Sequence, residues 1–173
     1  MKNKEFFDIL HSRRSIKQFT DDKIPYEDLL EIAKAARATP TSVNLQSRKF
    51  TIVQNKTLIQ ELETVLGQAI GQPSYDLYNA DALLLISSRR GYTYSEIETG
   101  LAVQNAYLAA TALGYGTTWT DQIRHLSDEK HIRAVLNKLE IPSNHVLWTI
   151  LPIGVPAENP PVKNRTEEIN IIE

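Results

Sequence analysis

Apolar residues recur at helical spacing in five stretches and as short unbroken runs in three, and their order predicts the layers of the fold. Residues 4–12 put Phe6, Phe7, Ile9 and Leu10 on one face of a short helix. A second helix opens at Pro25, which a first turn tolerates. It carries Leu29, Leu30, Ile32, Ala33 and Ala36, and Pro40 marks its end. After a polar loop, KFTIVQ (49–54) predicts a strand and KTLIQELETVLGQAI (56–70) an amphipathic helix stopped by Gly71 and Pro73. ADALLLISS (80–88) predicts a buried strand.

Residues 94–113 predict a helix of about 30 Å. It is Ala-rich and apolar nearly all round, so it should be central and buried on several sides. Gly114 is placed to end it in a left-handed cap. Another amphipathic helix is expected over about 128–139, and HVLWTILPIG (145–154) predicts a further buried strand. The remainder is Pro-rich and extended, closing on EEINIIE, a candidate edge strand. With no repeat or linker, the order ααβαβααβ plus a tail predicts one domain over 1–173 of the α/β (α+β) layer type.

Composition narrows the chemistry. Nineteen Lys and Arg stand against 21 Asp and Glu, which gives no general attraction to nucleic acid or anionic lipid. Against that neutral background His11, Arg13, Arg14 and Lys17 fall within seven residues, and such a local cluster suits a local anion. The chain has no cysteine, so disulfides, thiolate nucleophiles and Cys-based metal sites are excluded. MKNKEFFDILHS is too polar for a signal peptide, and no run approaches the ~20 apolar residues of a membrane span, so the cytoplasm is the expected location.

Several familiar sites are missing. There is no phosphate-binding Gly-rich loop of either common pattern, the four histidines lack metal-ligand spacing, and no nucleophile elbow occurs. Any catalysis would therefore draw on a bound organic cofactor. Four clusters remain, each with an ordinary reading beside the functional one. Arg13-Arg14-Ser15-Ile16-Lys17 is a solvated turn or a phosphate cradle, where arginine's planar fork matches a phosphate. Thr41, Ser42, Asn44 and Gln46 are a polar loop or partners for a sugar-like chain. GTTWTDQ is a plain helix exit with Trp119 in the core, or a turn whose aromatic and free backbone donors could seat a planar heterocycle. Lys163 and Arg165 are a solvated tail or a second basic clamp.

The order of these clusters resembles the FMN-dependent nitroreductase family along nearly the whole chain. RRSIKQF resembles its opening arginine–serine motif, and TPTSVNLQSRKFTIV its Pro-[Ser/Thr]-Ser-x-Asn-x-Gln-Pro-Trp loop. GLAVQNAYLAATALGYGTTW resembles its central helix, and LPIGVPAENPPVKNR its last strand and basic tail. One departure stands out: Gln46-Ser47-Arg48 replaces Gln-Pro-Trp, which removes a rigid turn and an aromatic anchor. The helical lid of the family's larger members has no counterpart.

The resemblance implies a central mixed sheet flanked by helices, a long buried helix, and a homodimer with FMN at the subunit interface. Arg13 and Arg14 would hold the FMN phosphate with help from Ser15, and Lys163 and Arg165 would close on it. Lys17 would sit beside the N1 and C2-carbonyl edge and favour reduction. Trp119, Thr120 and Asp121 would line the ring near N5. Thr41, Ser42, Asn44 and Gln46 of one subunit would reach the flavin of the other, and EEINIIE would clasp the partner. The implied activity is ping-pong reduction of nitroaromatics or quinones by NADH or NADPH, with hydride carried by the flavin and no catalytic side chain required. Other flavin reactions on this scaffold (reductive dehalogenation, azoline oxidation, flavin cleavage) and a non-catalytic FMN-binding or redox-responsive protein are the alternatives.

Overall fold

The computed structural model describes residues 4–173. Its elements follow the apolar pattern closely: α1 (Lys4–Ser12), α2 (Tyr26–Arg37), β1 (Arg48–Val53), α3 (Lys56–Ala69), β2 (Ala82–Arg89), α4 (Ser95–Ala112), β3 (Gly116–Thr117), α5 (Lys130–Lys138) and β4 (His145–Gly154). Two 3-10 turns, Ser42–Asn44 and Gln122–His125, complete it.

The strands lie in the order β1-β2-β4-β3, and every neighbouring pair is antiparallel. A mixed sheet was the expectation, but the only parallel pairing among the described residues is a single bridge from Ser15 to Thr117. The reason lies in the return path. Val53 at the end of β1 pairs with Leu83 near the start of β2, so the segment after α3 must bring the chain back to the end it left. Turn backbone supplies that return, with Gly71, Tyr78 and Asn79 all at positive φ.

Alternation along the strands splits the core in two. Leu83, Leu85, Leu147 and Ile150 face α3 and α5 and meet Leu62, Leu66, Ile132 and Leu136. Ala82, Leu84, Ile86, Leu151 and Ile153 face α2 and α4 and meet Leu29, Ile32, Ala102 and Ala106. Burying each large aliphatic side chain contributes about 1.5–3 kcal/mol, which is what fixes the helices to both faces. α4 ends as its sequence predicts, with Gly114 at φ 85° just past the last turn.

Contrary to one expectation, EEINIIE forms no strand: residues 158–173 leave the sheet and find no ladder partner among the described residues. Its apolar side chains Ile169, Ile171 and Ile172 are exposed. Among the described residues no helix is long and apolar enough to cross a membrane.

One buried carboxylate ties the start of α2 to the sheet. Asp81 accepts from the Ile24 N–H, the Lys23 ammonium and the Gln54 amide. Burial pushes its carboxyl up, but those three donors together outweigh it and hold it below the usual aspartate range. A depressed carboxylate contributes stability that is present above its unfolded pKa of about 3.9 and lost as pH falls through the lower folded value. Asp81→Asn is therefore expected to cost about 1–3 kcal/mol at neutral pH. In urea titrations the gap to wild type should narrow below about pH 4.

Candidate functional site

The basic stretch leaves α1 in two different roles. Arg14 turns back on its own helix, where its Nη1 donates to the carbonyls of His11 at 2.7 Å and Arg13 at 2.8 Å. Those carbonyls have no intrahelical partner at a helix end, so Arg14 closes α1. The Arg13 guanidinium instead lies 5.0 Å from the centre of the Tyr107 ring on α4. Ser15 sits beside it, with its Oγ 3.4 Å from the Tyr107 hydroxyl.

From Ser15 to Thr20 the chain runs extended along the sheet edge. The Ile16 N–H donates to the Thr117 carbonyl at 3.0 Å and the Thr20 N–H to Val155 at 2.9 Å. Two glycines make room for it. A Cβ on Gly116 would stand 2.7 Å from Ile16, and one on Gly154 would stand 2.6 Å from the Phe19 ring. With Ile16 seated in the first gap, strand alternation sends Ser15 and Lys17 to the opposite, open side. The Lys17 ammonium lies 5.7 Å from the Tyr78 ring centre.

The tail then crosses this segment. The Glu158 carboxylate accepts from the N–H groups of Lys17 at 2.5 Å and Gln18 at 3.1 Å, and the Ala157 N–H donates to the Gln18 carbonyl at 2.9 Å. That clamp sets Pro160, Pro161, Lys163 and Arg165 along one wall of a cleft of about 970 Å³. The third wall is the turn after β3. Thr120 exchanges both backbone hydrogen bonds with Ile150, and the Thr149 hydroxyl donates to the Thr120 carbonyl. This fixes Trp119, half exposed, and Asp121 at the cleft.

Nine of the sequence-predicted residues therefore line one space: Arg13, Arg14, Ser15, Lys17, Trp119, Thr120, Asp121, Lys163 and Arg165. Five are cationic, against the carboxylates of Asp121 and Glu158. Such a set suits a dianionic phosphate at one end and a planar ring beside Trp119 at the other. Among the described residues no carboxylate–histidine cluster could hold a metal. Tyr107, Tyr78 and Glu158 were not among the sequence candidates. Only the Pro-Ala-Glu sequence at 156–158, inside the tail motif, hinted at the last of them.

Thr41, Ser42, Asn44 and Gln46 do not line that cleft. They form the turn between α2 and β1, with Val43, Asn44 and Gln46 all in the left-handed region at φ 46°, 56° and 51°. Val43 is β-branched, which makes that conformation strained, and it is 92% exposed. The turn is tied down by buried polar groups. The Glu98 carboxylate, 3% exposed, accepts from the Ser42 N–H at 2.7 Å and the Tyr92 hydroxyl at 2.6 Å. Arg48 donates to Thr39 Oγ1, the Thr39 carbonyl and the Glu98 carbonyl. Burial lowers the Arg48 pKa, with Glu98 pulling the other way.

The outer stripe of α4 is exposed, with Ile97 65% and Leu101 43% accessible. Beside it a smaller cavity of about 340 Å³ shares Trp119 and Asp121 with the cleft.

A family model described as the nitroreductase family matches residues 10–74 and 72–155. An Archaeoglobus fulgidus protein that carries the provisional name NADH dehydrogenase/NAD(P)H nitroreductase is 28% identical over 159 residues, covering 89% of this chain and 87% of its own. An iodotyrosine deiodinase from Thermotoga neapolitana is 27% identical over 187 residues, with 96% of both chains covered. Among solved structures, a nitroreductase with bound FMN from Bacteroides fragilis superposes with a TM-score of 0.87 at 26% identity, over 98% of this chain and 99% of its own.

Proposed function

The chain belongs to the nitroreductase family, and on that premise we propose that it is an FMN-dependent NAD(P)H oxidoreductase that reduces nitroaromatic, quinone or related acceptors in a ping-pong cycle. The observation that carries this reading is the cleft, where Arg13, Ser15, Lys17, Lys163 and Arg165 meet across the Trp119 turn. Arg13, Ser15, Lys163 and Arg165 suit the FMN phosphate, and Arg14 adds charge while closing α1. Trp119, Thr120 and Asp121 suit the isoalloxazine. Bound there, FMN would supply the hydride chemistry at N5. The chain's part is to hold, orient and charge-match, and this reading requires no catalytic side chain.

Two copies complete the site in this reading. The exposed stripe Ile97–Leu101 needs a partner surface, and the Thr41–Gln46 turn lies outside its own chain's cleft. The turn then serves the flavin of the second copy, and the exposed isoleucines of EEINIIE clasp that copy.

The test is direct. The purified protein should be yellow, bleach with NADH or NADPH, and recover colour with one acceptor of a panel of nitroaromatics, quinones and a halotyrosine. Colour without bleaching would favour a flavin binder, and a protein that takes up no FMN would refute both. Lys17 gives a finer check. Lys17→Met keeps side-chain length and removes the charge beside the cleft. If the ammonium stabilises the charge FMN gains on reduction, the midpoint potential should fall by tens of millivolts, at about 30 mV per 1.4 kcal/mol. A wild-type potential with weakened FMN binding would place Lys17 on the phosphate instead.

A further inference from the structure

Four of the five buried side-chain atoms without a hydrogen-bond partner among the described residues fall on two dipeptides. They are Ser47 Oγ and Arg48 Nε, and Glu98 Oε2 and Thr99 Oγ1. A native interior keeps few such atoms, so a cluster of them calls for an explanation. Two of the four belong to the residues that fasten the strained turn: Glu98, whose Oε1 accepts from the Ser42 N–H, and Arg48, which donates to Thr39 and to the Glu98 carbonyl. Arg48 stands where the family pattern has tryptophan. An aromatic anchor would fill space, whereas this guanidinium joins the exit of α2 to the first turn of α4. Three residues at positive φ, one of them Val43, hold their shape only if the surroundings over-determine it.

We propose that Glu98, braced by Arg48, is a positioning residue that holds the Thr41–Gln46 turn in the conformation in which it completes the FMN site of a second copy. The proposal rests on the split site of the preceding section. Its signature is that Glu98 acts on the neighbour's flavin and leaves its own chain's cradle untouched, which a merely structural role would not produce.

The test uses mixed dimers, with FMN affinity read by flavin fluorescence. Arg13→Ala damages a chain's own cradle, and Glu98→Leu releases its turn. In a mixed dimer of the two variants one site inherits both defects and the other inherits neither. The expected result is one FMN per dimer at wild-type affinity, while both variant homodimers bind about ten- to a hundredfold more weakly. Glu98→Gln, which keeps an acceptor for Ser42 and Tyr92, should recover most of the affinity.

Should Glu98→Leu fail to fold, Ser42→Pro and Ser42→Ala form a second pair. Thr41 at φ −130° and ψ 149° already has the backbone preferred before proline, and both variants lack the hydroxyl, so what the proline lacks relative to alanine is the N–H that Glu98 holds. The proline variant should bind FMN at least about tenfold more weakly than the alanine variant. Equal affinity in that pair, a Glu98→Leu homodimer at wild-type affinity, or a mixed dimer no better than its parents would overturn the role of Glu98. An Arg13→Ala homodimer at full affinity would instead overturn the reading of the cleft.

Discussion

Arg13→Ala is expected to weaken FMN binding by about ten- to a hundredfold, the loss that follows from one charge-assisted contact of roughly 1.5–3 kcal/mol. The neighbouring arginine makes the experiment informative. Arg13 and Arg14 are equal in sequence terms and both line the cleft, yet only Arg13 lies over Tyr107, while Arg14 donates to the carbonyls at the end of α1. Arg14→Ala should therefore act mainly on α1 and weaken FMN binding by a smaller factor. Fluorescence titration of both variants separates a directed contact from a diffuse positive field. Equal losses would mean that net charge alone holds the phosphate, and no loss from Arg13→Ala would return the stretch to a solvated turn.

The second large effect is expected at the outer stripe of α4. Ile97→Glu combined with Leu101→Glu should convert a dimer of twice 19.6 kDa into monomers. Each copy would otherwise have to bury two unpaired carboxylates in an apolar contact, at several kcal/mol for the pair. Light scattering reads the mass. If the Thr41–Gln46 turn completes the neighbour's site, FMN should be lost in step with the partner. Wild-type protein that scatters as a flavin-loaded monomer would sink the split site altogether.

Much of the fold was legible because its elements are long and strongly patterned. α3, β2 and α4 follow from apolar spacing alone, and Gly114 sits where a left-handed cap demands it. The parts that were not legible depend on pairing rather than pattern. β3 is two residues long and exists because Gly116 and Thr117 meet β4. The sheet is antiparallel because the chain returns after α3 to the end it left, a choice that periodicity does not record. EEINIIE has the composition of a strand but no ladder among the described residues.

The site shows the same division. The cationic residues announced themselves by clustering in a neutral chain. Glu98 did not, since in sequence it is one acid in the first turn of an apolar helix and its partner Ser42 lies 56 residues away. Glu158 was hidden for the same reason, with Lys17 lying 141 residues away, whereas the fate of Arg14 is decided locally, by the His11 and Arg13 carbonyls at 2.7 and 2.8 Å.

The clamp of Glu158 on Lys17 also bears on how the protein is made. Its two halves are separated by 141 residues, and Lys163 and Arg165 are laid down only beyond it. Synthesis proceeds at roughly 5–20 residues per second and folds N-terminal segments first. The growing chain therefore carries Arg13, Ser15 and Lys17 for several seconds with nothing to close over them. In that interval the chain presents only part of the cleft, and the cleft can close only once residues 158–165 have been made.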